Sequence, residues 1–286
     1  FFTPYNGYLT LLFSTLLAWG WVKPYFKSKQ PERIKKIFYS LFPILILFLP
    51  LTPLIFIKTS LPPHIWDEAV YHYISPYKLF NELTWHFRNL YDNVPRLLDT
   101  AYISLFALTK SYAPARLLHF FVYFTSLSSV YLFVKKYLGV FAGLLVFSVL
   151  TYLQIPLLIQ STWGYVDLGV TAFITFSLLS LVEYYIKKDI NLIYFSLLFI
   201  SLGLGTKYNA LAPFLVISSL FLTQIIFEKH LKNIKAIKFL ITILASLGLG
   251  GYWYIKNWIV TGNPIFPFFF NCKIPGCGVG QSFFDW

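Results

Sequence analysis

The chain is short of charge, and shorter still of acid. Only 12% of its 286 residues are charged, and the 11 Asp and Glu are outnumbered by 23 Lys and Arg. Soluble domains carry roughly a quarter charged residues, so an ordinary soluble enzyme is excluded. Methionine is absent throughout and residue 1 is Phe, which leads us to expect a fragment or processed form, truncated at both ends. Residues 1–22 lack the basic segment and small-residue cleavage site of a signal peptide, and the closing QSFFDW carries no anchor or retention signal. Cysteine occurs only as Cys272 and Cys277, in CKIPGC. A disulfide in an exported loop and two free thiols both stay open, whereas a zinc site would need two more ligands nearby. The net charge of +12 does not indicate nucleic acid, because no aromatic-plus-basic binding motif accompanies it.

What the chain has in abundance is apolar length. Hydrophobic residues make up 57% of it, gathered in blocks of about 18–22, the length of a helix that spans a hydrocarbon core. The expected fold is therefore all-α and polytopic, with about eight transmembrane helices near 5–22, 37–57, 113–134, 138–160, 167–186, 190–206, 209–227 and 239–259. Lys and Arg collect in alternate loops, as expected of cytoplasmic loops. Fourteen of them share the inner side with four acids, and nine share the outer side with seven. Residues 58–112 form the first outer loop, and 260–286 begin a further outer segment. The glycine pairs of SLGLGT and SLGLGG follow no soluble strand and lack the third glycine of a dinucleotide fingerprint. They read as sites of close helix packing.

The chemistry concentrates in the outer loops. LPPHIWDEAVYHYISPYKLF (61–80) places Asp67 and Glu68 together after a helix-breaking Pro62–Pro63. A short juxtamembrane helix from His64 would put Asp67 and Tyr71 on one face, and Glu68 and His72 on another. Trp66, Tyr71, Tyr73 and Tyr77 suit the headgroup zone. Asp167 starts another helix in WGYVDLGV, and cations lie at the same face: Lys78, Arg88, Arg96, Arg116 and Lys207. Lys207 is a functional candidate because an ionisable group at membrane depth is costly, while Arg116 and Lys256 are expected to snorkel to the interface. Carboxylates beside cations at an outer face suit transfer from a lipid-linked phosphate. A carboxylate serves as general base on an acceptor hydroxyl, and cations or a metal stabilise the departing phosphate.

The ordered set WDEAVYHYISPYKLF, NVPRLLDTAYISLFAL, ARLLHF, WGYVDLGVTAFI, LGTKYNAL and KNWIVTGNPIFPFF resembles the integral-membrane glycosyltransferases of the GT-C fold. In particular it resembles bacterial and archaeal relatives of the dolichyl-phosphate-mannose–protein mannosyltransferases. The resemblance implies a single GT-C-like transmembrane domain over 1–286 that uses a polyprenyl-phosphate sugar donor at the periplasmic, extracellular or lumenal face of the cell membrane. It implies Asp67 as catalytic base with Glu68 its neighbour, and Tyr71, His72, Lys78, Arg96, Asp167, Lys207 and Asn263 as substrate-binding positions. Relatives differ in metal use, so a divalent cation (Mg or Mn) stays open, as do the sugar and the acceptor. The run at 5–22 precedes the helix that leads into the acidic loop in that family, and the chain stops after fewer spans than full-length relatives. A transporter or lipid flippase, and a non-catalytic envelope scaffold, are the competing readings.

Overall fold

A computed structural model describes residues 30–74, 93–227 and 236–268. Every regular element among them is helical. In chain order these are α1 (Gln30–Phe48), α2 (Thr52–Ser60), α3 (Asp67–Ile74), α4 (Leu97–Thr109), α5 (Ala113–Leu138), α6 (Val140–Ser148), α7 (Ile155–Gln160), α8 (Asp167–Lys187), α9 (Ile190–Thr206), α10 (Leu211–Phe227), α11 (Ala236–Ser246) and α12 (Tyr252–Thr261).

Four stretches are long and apolar enough to cross a membrane: Lys35–Ser60, Ala113–Leu138, Asp167–Lys187 and Ile237–Thr261. Three further expected spans fall on the shorter apolar helices Val140–Leu153, Ile190–Thr206 and Tyr208–Gln224. The run at 5–22 lies outside the described residues, as do Cys272 and Cys277. The run at 138–160 is not continuous. It passes through a wide π-type turn at Val149–Leu153 and leaves helical geometry at Gln154 (φ −109°, ψ 45°), and Pro156 opens α7. The stretch read as one polar outer loop, 58–112, also holds an apolar helix, α4. Its 13 residues are too few to span hydrocarbon.

The local sequence explains these boundaries. Pro50 sits in the 3-10 turn that joins α1 to α2, and Pro53 sits in the first turn of α2, where a missing N–H costs nothing. Pro114 opens α5 in the same way. Lys188 ends α8 in a left-handed conformation (φ 57°), and Asp189 caps α9 by accepting from the Asn191 amide at 3.0 Å.

Apolar packing is divided into two main cores. One joins α1 and α2 to α5, α6 and α7 through Ile44, Phe48, Ile55, Phe120, Leu127, Phe147 and Leu158. The other joins α8, α9 and α10 through Leu181, Ile193, Leu197, Ile200, Ile217 and Phe221. Large apolar side chains are nevertheless exposed along the outside, among them Phe56, Phe141, Leu145 and Leu153. Water would penalise such a surface and hydrocarbon does not. Between helices, polar contacts replace the missing hydrophobic drive. Ser177 donates to the Ser196 carbonyl at 2.7 Å, and Tyr184 to Gln224 Oε1 at 3.0 Å.

Glycine allows the closest approach. A Cβ on Gly205 would stand 1.9 Å from the Leu249 carbonyl oxygen, and one on Gly250 would stand 3.0 Å from that of Ser201. Here α9 crosses the wide π-type turn Leu247–Gly251, backbone against backbone. Gly248, in the same turn, faces open space. Gly205→Ala is therefore expected to destabilise the bundle by about 1–3 kcal/mol, lowering the melting temperature in detergent. Gly248→Ala should leave it unchanged.

Candidate active site

The two ends of the bundle differ in chemistry. At one end lie the start of α1, the end of α5 and the α8–α9 connection. There Glu183 binds Lys136 at 2.6 Å and also binds Lys187, while Lys238 reaches Asn191 at 3.2 Å. These contacts are partly exposed and contribute little stability.

At the other end, α3 is wound as a π-helix, a rare form that is frequent at functional sites. It begins at Asp67 rather than His64. Glu68 and His72 are both buried, whereas Asp67 is exposed and Tyr71 is half-buried. Glu68 is fully enclosed. Arg116 donates to it through Nε at 2.5 Å and through Nη2 at 2.6 Å, and the Gly164 amide donates at 2.7 Å. The same guanidinium donates to the carbonyls of Lys58 (3.2 Å), Leu61 and Pro62 (3.2 Å). All five donors of Arg116 thus meet acceptors from the end of α2, the following elbow and α3.

This corrects the expectation that Arg116 snorkels. The side chain is 0% exposed because a buried carboxylate requires it. Lys256 does not snorkel either. It is buried, donates to Asn93 Oδ1 at 3.3 Å and stands over the Trp253 ring at 5.1 Å. With both oxygens of Glu68 held, its carboxylate anchors the chain and leaves no atom facing outward. Asp67, next in sequence, carries the accessible carboxylate.

A second buried cluster backs α3. His72 Nδ1 meets Asp99 Oδ1 at 2.8 Å. Arg96 lies 3.7 Å from the other Asp99 oxygen, donates to the Tyr71 carbonyl at 2.8 Å and sits 4.8 Å over the Tyr71 ring. His72 also packs on Tyr165, with ring centroids 5.3 Å apart. Tyr165 also lies near the carboxylates of Asp67, Glu68 and Asp167. Partial burial, then the carboxylates of Asp67, Glu68 and Asp167, push its pKa up to about 12, so it stays a donor. The loop carrying Tyr165 is fixed by Tyr102, which donates to the Tyr165 carbonyl at 2.6 Å, and by His119, whose Nδ1 meets the Trp163 carbonyl at 2.8 Å. Gly164 packs tightly there: a Cβ would stand 2.0 Å from the Tyr73 hydroxyl, so any side chain would displace that ring.

Two candidates read separately from the sequence meet. Lys207 Nζ donates to Asp167 Oδ1 at 2.7 Å, with both side chains about a third exposed (30% and 34%). The neighbouring Tyr208 donates to the Phe266 carbonyl at 2.6 Å and reaches the Asn93 carbonyl at 3.3 Å, and Asn257 donates to that carbonyl too. Asn263 lies in this buried layer. Its Oδ1 accepts from the Ile265 amide at 2.9 Å and its Nδ2 donates to the Phe268 carbonyl at 3.1 Å, so it shapes the turn after α12. Lys78 and Arg88 lie outside the described residues. Among the described residues, no group of three or more His, Cys, Asp or Glu gathers as a ligand set for a metal ion.

The sequence reading passed over Asp99, Tyr165 and the roles of Arg116 and His119. Their one signal was position: each lies inside a quoted motif. No family model, no curated protein and no solved structure matches the chain.

The Glu68–Arg116 pair gives a stability test. Arg116→Met leaves a carboxylate buried without its partner and is expected to destabilise the fold by about 3–5 kcal/mol. Denaturation of detergent-solubilised protein should also show that Glu68→Gln/Arg116→Met recovers a substantial part of that loss.

Proposed function

We propose that the chain is a glycosyltransferase that moves a sugar from a polyprenyl-phosphate carrier to an acceptor hydroxyl at the non-cytoplasmic membrane face, with Asp67 as general base. The observation that carries this reading is the contrast between neighbouring acids. Glu68 is locked on Arg116, whereas Asp67 is exposed, at the same end of the bundle as the accessible Lys207.

In this reaction the acceptor oxygen attacks the anomeric carbon, the bond from that carbon to the carrier phosphate breaks, and the configuration inverts. Asp67 takes the acceptor's proton. The leaving phosphate carries the electron pair away and is met by Lys207, which can exchange Asp167 for a phosphate oxygen without crossing hydrocarbon. The exposed apolar helix faces supply a surface for the carrier's polyprenyl tail. The lysine-rich opposite end fits the cytoplasm under the positive-inside rule, which puts Asp67 outside.

A transporter would place its ionisable groups near the bilayer midplane. The π-type turn in the last span, Leu247–Gly251, packs against α9 and carries no ionisable side chain. Asp67→Asn should reduce sugar transfer by about 10²–10⁴-fold, measured as consumption of lipid-phosphate sugars by the membrane-embedded chain. Because residue 67 is exposed, membrane insertion and melting should be unchanged. Undiminished transfer by that variant would remove Asp67 from the role of base.

A further inference from the structure

The basic end of the bundle holds a cleft that the proposed reaction does not use. It has a volume of about 480 Å³ and is lined by Glu32, Lys35, Lys36, Tyr39, Ser40 and Lys135. Its lining thus carries three lysines against one acid.

The cleft is built from two helices. Lys135, on α5, donates to the Ser40 carbonyl of α1 at 3.3 Å and stands over the Tyr131 ring at 5.5 Å. Pro43, three residues beyond Ser40, has no N–H to offer the Tyr39 carbonyl, one residue before the carbonyl that Lys135 binds.

The face of α1 that carries this cleft continues into the span. Lys35, Tyr39, Phe42 and Ile46 recur every three or four residues, so they share one side of α1, and Leu49 follows in the 3-10 turn that continues it. Tyr39 is 71% exposed, Phe42 47%, Ile46 54% and Leu49 65%. From Tyr39 to Leu49 this stripe runs about 15 Å, half of a bilayer's hydrocarbon thickness. Cations at the mouth, a phenol at headgroup level and an apolar track of one leaflet's depth match the three zones of a phospholipid.

We infer that this cleft binds an anionic phospholipid of the leaflet at the basic end, its phosphodiester held by Lys35, Lys36 and Lys135 and one acyl chain lying along Phe42, Ile46 and Leu49. The charge selects the class, because the choline ammonium of a neutral lipid would face three like charges.

The test uses the full chain in nanodiscs of equal phosphatidylglycerol and phosphatidylcholine, with retained lipid counted by native mass spectrometry after mild delipidation. We expect phosphatidylglycerol to be enriched on the protein. Lys36→Ala should weaken its retention about fivefold. Lys35→Gln/Lys36→Gln, which leaves the Lys135–Ser40 bond intact and so preserves the helix pairing, should bring the two lipids to their input ratio. Lys110→Ala, at the other end of the bundle, should change nothing. Equal retention of both lipids by the unaltered chain, or undiminished enrichment in the double variant with native helicity, would overturn the inference. So would displacement of phosphatidylglycerol by millimolar inorganic phosphate, which would make the cleft a site for a free anion.

Discussion

A carboxylate taken out of water must find a cation or lose its charge. Glu68 finds Arg116, and the position of everything at that end of the bundle follows. The guanidinium spends its donors on Glu68 and on the carbonyls at the end of α2, so one side chain from α5 fixes where the first span stops and how the chain turns into α3. Glu68 in turn receives the Gly164 amide, which brings in the loop before α8. Three segments far apart in sequence are thus tied at one point, and Asp67 is presented beside it.

This division of labour between adjacent acids gives the site its character. The buried member provides rigidity, and the exposed member is the base in the proposed reaction. Behind them Asp99, His72 and Arg96 form a second buried layer against the backbone of α3. The rare π winding of α3 is held at two points, by Arg116 at the Glu68 carboxylate and by Arg96 at the Tyr71 carbonyl. Lys207 and Asp167 stand apart from that rigid layer, partly exposed, where a charged ligand can reach them.

Much of the helical plan was legible in the sequence, because hydrocarbon thickness and basic loops leave a periodic trace. The runs at 37–57, 113–134, 167–186 and 239–259 correspond to helices long enough to span. The run at 138–160 did not read correctly, since hydropathy does not report the break at Gln154. Helix α4 was hidden for the opposite reason, being apolar but too short to register as a span. Within the site, Asp67, Asp167 and Lys207 could be named because charge is rare in this chain. The pairings could not. Glu68 and Arg116 lie 48 residues apart, Asp167 and Lys207 lie 40 apart, and His72 and Asp99 lie 27 apart. No period connects them, and only the packed bundle does. Arg116 was misread for the same reason: a helix sequence places an arginine near a membrane end without saying that a buried carboxylate faces it.

The account rests on the two polar ends lying on opposite sides of a bilayer, with the tied end outside. Single cysteines introduced as Asp67→Cys and Lys187→Cys, in a Cys272→Ser/Cys277→Ser background, can be probed in intact cells with a membrane-impermeant maleimide. The account predicts labelling at position 67 before permeabilisation and at position 187 only after it. Labelling of both positions from one side, or of 187 alone in intact cells, would contradict it.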